Sequence, residues 1–76
     1  MKPGDMVYYL YTDHRGVETR YAAVILDVQD GDLQIRVGRF DVHSKEISTF
    51  ESSVSSDSLL PRSIPCSYEA ELTGSA

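Results

Sequence analysis

Apolar positions along the chain fall at alternate residues or in short unbroken runs, which is strand patterning, and no segment holds a helical period for three turns. The densest run is residues 21–28 (YAAVILDV), followed by QDGD at 29–32 and LQIRVGRFDV at 33–42. Asp30-Gly31 between two apolar runs is a strong local signal for a tight hairpin, because both central positions of such a turn need left-handed backbone. The pattern predicts a central hairpin with strands over 21–28 and 33–42. In the later strand Leu33, Ile35 and Val37 face inward, Gln34, Arg36 and Gly38 face outward, and Gly38 is expected to ease a sharp bend. The earlier strand is apolar on both sides, with Ala23 and Ile25 opposed to Ala22, Val24, Leu26 and Val28. A bulge near Asp27 would bring Ile25 and Val28 to the same side.

The flanking segments are shorter. Pro3-Gly4-Asp5 reads as a turn that launches a strand over 6–11 (MVYYLY), where Val7, Tyr9 and Tyr11 share one face and Met6, Tyr8 and Leu10 the other. Neither face is polar, so cover on both sides is expected. Residues 12–19 form a polar loop, and His43-Ser44-Lys45 a second hairpin loop leading to a strand over 46–52. The serine-rich stretch 52–58 reads as a connector, 58–61 as a single 3₁₀ turn halted before Pro61, and 62–68 as the last strand. There Ile64, Cys66 and Tyr68 share a face, and Pro65 assigns the strand to an edge. The sum is one all-β domain over 1–68, a small five-stranded barrel with one 3₁₀ turn before its last strand, followed by a flexible tail over 69–76.

Composition narrows the class. A chain of 76 residues with 41% hydrophobic and 25% charged residues is an ordinary small globular domain with little room for a deep pocket. Twelve acids against seven bases give a net charge of -5, which disfavours nucleic acid as a partner unless the bases gather on one face. The single cysteine, Cys66, points to a reducing, cytoplasmic setting, and neither an apolar leader core nor a membrane-length apolar run is expected.

Three stretches carry a resemblance: Pro3-Gly4-Asp5-Met6-Val7, residues 21–28, and Leu59-Leu60-Pro61-Arg62. They resemble the PGDxV opening, the Y-x-A-x-I/V strand and the late L-x-P-R segment of the SH3-like small barrels, Tudor-like domains among them, and the resemblance spans residues 3–68. It implies an SH3-like barrel that acts as a noncatalytic interaction module. Such domains bind methylated lysine or arginine tails, proline-rich peptides, RNA or partner proteins, so the fold alone does not choose.

Candidate chemistry follows from the aromatic and basic residues. Tyr8, Tyr9, Tyr11, Tyr21 and Phe40 have the ring faces an aromatic cage requires, although tyrosines on small sheets commonly serve as cover with their hydroxyls in water. Arg36 and Arg39, with Arg15 and Arg20, suggest an anion-binding face, but five acids lie among the five bases between Arg15 and Lys45, so cross-strand charge pairing competes. His14, His43 and Cys66 lack any metal-binding spacing, and no cofactor is expected. A lone Cys66 on an inward face reads as a small apolar side chain before it reads as a nucleophile. The serine run is a solvated loop that phosphorylation would charge.

The expected binding face is lined by Tyr8, Tyr11, Tyr21, Arg36 and Phe40, and its partner is a peptide or protein segment. Pairing of edge strands with a second copy to give a homodimer is a further expectation. The alternatives are a nucleic-acid-binding barrel and a small subunit of an oligomeric enzyme with a shared pocket.

Overall fold

The computed structural model describes residues 1–74. Its elements are β1 (Met6–Thr12), β2 (Glu18–Gln29), β3 (Asp32–Asp41), β4 (Glu46–Val54), a 3₁₀ turn (Ser56–Ser58), β5 (Leu59–Pro61) and α1 (Glu69–Thr73). The strands form one antiparallel sheet in the order β4-β3-β2-β1-β5. The all-β class, the five strands and the 3₁₀ turn before the last of them agree with the sequence.

The central hairpin is as the sequence predicts. Gln29 pairs with Asp32 across a two-residue turn in which Asp30 and Gly31 have φ of 44° and 89°. Only a residue tolerant of left-handed backbone fits such positions, and Asp and Gly are two of the few. The register of β2 against β3 shifts between Ile25 and Asp27, so Ile25 opposes Ile35 and Val28 opposes Leu33. This bulge places Ile25 and Val28 on one face, and bulges add local twist.

The sheet is not closed into a barrel, since no ladder joins β4 to β5. It is nonetheless strongly curved. Laid flat, the two edges would stand about 19 Å apart, four strand spacings of about 4.8 Å. Yet residues 55–58 alone link them, three of these in a 3₁₀ turn that rises only about 2 Å per residue. Val54 at the end of β4 and Leu59 at the start of β5 accordingly pack against the same concave core of Val7, Ala23, Ile25, Leu33, Ile35 and Val37.

The convex face carries a second, smaller core. Ala22 and Val24 of β2 are covered by Leu72 of α1, which is fully buried, with Cys66 and Tyr68 packed alongside. Residues 69–73, expected within a flexible tail, therefore belong to the fold; burying the Leu72 side chain contributes about 1.5–3 kcal/mol toward holding this short helix. Residues 75 and 76 of that expected tail lie outside the described residues. Gly38 has a role the sequence does not announce. A Cβ there would lie 2.7 Å from both Leu72 Cδ2 and Tyr68 Cε2, so the glycine is a seat for the C-terminal segment. Gly38 and Arg36 face away from the concave core, as predicted, but lie beneath or against α1 rather than in water.

The last strand is likewise displaced. Leu59 and Leu60 pair with Tyr9 and Tyr8, whereas residues 62–68 cross the convex face without ladder pairing. The Arg62 backbone N–H donates to Met6 O at 3.2 Å. By the alternation of an antiparallel ladder, the Pro61 nitrogen points away from β1, where a missing N–H costs nothing. Pro61, not Pro65, is thus the edge proline. Ile64, expected to face inward, is 75% exposed.

Gly38→Val is expected to lower stability to urea by about 1–3 kcal/mol, because the added side chain overpacks the α1 seat. Equilibrium unfolding followed by circular dichroism measures this, and an unchanged midpoint would show that α1 does not depend on the seat.

Candidate functional site

Strand alternation decides which side chains share a surface. Odd residues of β1 and β3, with Tyr21, Ala23 and Ile25 of β2, face the concave core. Past the apolar residues, the same rows continue as Tyr9 and Tyr11 on β1, Tyr21 on β2, Arg39 on β3 and Phe50 on β4, and these five line one shallow groove. Tyr9 and Tyr21 are half-buried and pack against the core, while Tyr11 and Phe50 are 47% and 42% exposed. The Arg39 guanidinium lies over the Tyr21 ring, 5.8 Å from its centroid. Among the described residues Arg39 has no ion-pair partner.

The five residues expected to form a binding face are divided by this geometry. Tyr11 and Tyr21 lie in the concave groove. Tyr8 and Arg36 occupy the opposite face, and Phe40, 47% exposed, sits near the distal hairpin opposite Ile47. Tyr9, Arg39 and Phe50 complete the groove; Tyr9 and Arg39 follow from alternation alone, since each is an even number of residues from an inward-facing neighbour. Phe50 required the β3–β4 register, in which it opposes Val37.

Arg36 is a structural group. Its Nη1 donates to Leu72 O at 3.3 Å and its Nη2 stands 3.7 Å from Glu51, so it binds a carbonyl at the end of α1, where the helix is electron-rich. Tyr8 lies under Arg62, whose guanidinium carbon is 5.9 Å from the ring centroid.

Arg62 is the one buried charged side chain among the described residues, and all five of its N–H groups are bonded. Nε donates to Val7 O at 3.0 Å and Nη2 to Ala23 O at 2.9 Å, the carbonyls of two residues paired across β1 and β2. Nη1 reaches Ile64 O at 3.4 Å, and both terminal nitrogens meet the Glu69 carboxylate, at 2.5 and 3.0 Å. The carboxylate also accepts from Cys66, from its backbone N–H at 3.2 Å and its thiol at 3.4 Å. Donation by Arg62 holds the Glu69 carboxyl below its ordinary value of 4.5 despite partial burial. Burial, with the Glu69 carboxylate beside it, pushes the Cys66 thiol up, opposite to the direction that activates a nucleophile.

No family model, curated protein or solved structure matches this chain. The site is read from its geometry. Among the described residues, no three His, Cys, Asp or Glu side chains converge as metal ligands, and no helix is long and apolar enough to cross a membrane. His14 lies in the β1–β2 loop, His43 in the β3–β4 loop and Cys66 on the convex face.

The Glu69 carboxyl sets an acid limit. Its folded-state value is depressed, so the stability it contributes is complete above the unfolded value near 4.5 and is lost as pH falls through the lower folded value. Unfolding midpoints measured from pH 7 to pH 3 are expected to fall more steeply for the parent chain than for Glu69→Gln. Parallel curves would show that the carboxylate carries no linkage.

Proposed function

We propose that the protein is a noncatalytic interaction module of the SH3-like small-barrel kind, and that its concave groove binds an extended peptide or protein segment. The strand order, the tight central hairpin and the 3₁₀ turn before β5 support the fold reading. The observation that carries the functional one is the convergence of four rings and one arginine, drawn from β1, β2, β3 and β4, on a single surface. Exposed aromatic rings offer large contact area at low cost in side-chain entropy, which is the usual basis of peptide grooves.

Arg39 selects among ligands. It already occupies one face of Tyr21, so a methylated lysine or arginine entering the groove meets a like charge and a ring face in use. A segment with a carboxylate beside proline or leucine meets a guanidinium that has no acidic partner among the described residues, with apolar rings around it. The groove therefore suits an acidic extended segment better than a basic one.

Titration with two peptides, identical proline- and leucine-containing sequences with a central glutamate in one and a lysine in the other, tests this by nuclear magnetic resonance. The glutamate peptide is expected to shift Tyr9, Tyr11, Tyr21, Arg39 and Phe50 signals. Arg39→Ala is expected to weaken it by about 10-fold or more, the effect of losing a hydrogen bond to a charged group. Shifts confined to the convex face, or equal binding of both peptides, would contradict the reading.

A further inference from the structure

The two edges of the sheet are treated differently by the sequence. The β5 edge is three residues long and includes Pro61, which offers no outward N–H. The β4 edge runs for nine residues, EISTFESSV, and contains no proline, glycine, lysine or arginine. Its register against β3 is continuous from Leu33↔Val54 to Asp41↔Glu46, so no bulge twists it aside. Long, regular, unguarded edges invite another strand.

Which backbone groups point outward follows from the ladder. Arg62 N donates to Met6 O, so even residues of β1 face β5 and odd ones face β2. The bond from Ile25 N to Asp5 O agrees. Carried through the pairs Val7↔Ala23, Val24↔Arg36 and Val37↔Phe50, the alternation sets the N–H and C=O of Phe50 toward β3. Those of Ile47, Thr49, Glu51 and Ser53 point into solvent. This is a four-residue template with alternating donors and acceptors.

We infer that this edge pairs with the β4 edge of a second copy, antiparallel about a two-fold axis through Phe50, joining two five-stranded sheets into one. The axis must pass through a residue, because an axis between residues would set outward-facing groups against inward-facing ones. Centring on Glu51 places two like carboxylates opposite each other, and centring on Thr49 sets Glu51 against Ile47. Centring on Phe50 sets ring against ring in the closely spaced, non-hydrogen-bonded position, Glu51 against Thr49, and Glu46 against Val54. The only two charges of β4 then oppose neutral residues, and the Glu51 charge is further offset by Arg36 at 3.7 Å. The pairing is isologous, so it closes at two copies. It does not rest on the peptide reading: although Phe50 also lines the groove, the pairing is made by backbone groups, and Thr49 lines no part of the groove.

Sedimentation of the intact chain from about 1 µM to about 1 mM, a span covering weak to firm association, tests the pairing. A reversible monomer–dimer equilibrium is expected. Thr49→Pro removes one outward N–H from each copy, leaves the β3 ladder untouched, and is expected to weaken dimerisation by about 30-fold, two hydrogen bonds' worth. Phe50→Lys, which alters no backbone group, is expected to abolish it by setting two ammonium groups face to face. It stands as the test should the proline variant not fold. In hydrogen exchange, Thr49 and Glu51 amides are expected to gain protection as concentration rises, while Ser48, Phe50 and Ser52 stay protected throughout. A monomer at every concentration, or a dimer indifferent to both substitutions, overturns the proposal. So does capture of an unrelated extended peptide by this edge in preference to a second copy.

Discussion

The structure depends on one side chain, Arg62, which ties the C-terminal segment to the convex face of the sheet. A guanidinium removed from water is costly unless every donor is satisfied, and here three backbone carbonyls and one carboxylate take all five N–H groups. Val7 and Ala23 are paired residues of β1 and β2, both interior strands of the sheet, so the arginine is anchored to backbone away from the sheet edges. Glu69, the first residue of α1, supplies the charge that makes the burial tolerable, and it is held in turn by Cys66. Loss of one member of a buried pair of this kind typically costs about 3–5 kcal/mol, because the other is left buried and unpaired. With Arg62 fixed, β5 ends, the chain turns onto the face, and Leu72 drops into the seat left by Gly38.

The other determinant is curvature. A bulge after Ile25 twists β2, and a four-residue link between the sheet's two edges requires them to approach each other. The concave side thereby encloses a core that five flat strands would leave half in water. The same curvature brings side chains of four strands to one rim, where Tyr9, Tyr11, Tyr21, Arg39 and Phe50 form a groove. Function is thus proposed on the face whose core is formed by the sheet alone, and the C-terminal segment stabilises the sheet from behind.

Much of this was legible in the sequence. Asp30-Gly31 marked the hairpin, and the conflict of two apolar faces in 21–28 called for the bulge that the register displays. What failed was local reading of the C-terminal third. The sequence points to Pro65 as the edge proline and to Pro61 as the stop of a 3₁₀ turn, whereas the ladder makes Pro61 the edge proline, its nitrogen facing outward. Residues 69–73 are too short to announce a helix, and they owe their shape to a glycine more than thirty residues earlier and to an arginine that no periodicity singles out. The binding face was half legible for the same reason. Tyr11 and Tyr21 share parity with inward residues, whereas Tyr8, Arg36 and Phe40 were grouped with them by residue type and not by face.

The most direct test of the central role of Arg62 is amide hydrogen exchange on Arg62→Lys, since lysine keeps the charge but lacks the fork that reaches two strands and Glu69 together. The account requires Glu71, Leu72 and Thr73 to lose protection while Ile25, Ile35 and Val37 remain slow to exchange. Unchanged protection of α1 in that variant would show that packing of Leu72 alone holds the segment, and the clamp would lose its place at the base of the fold.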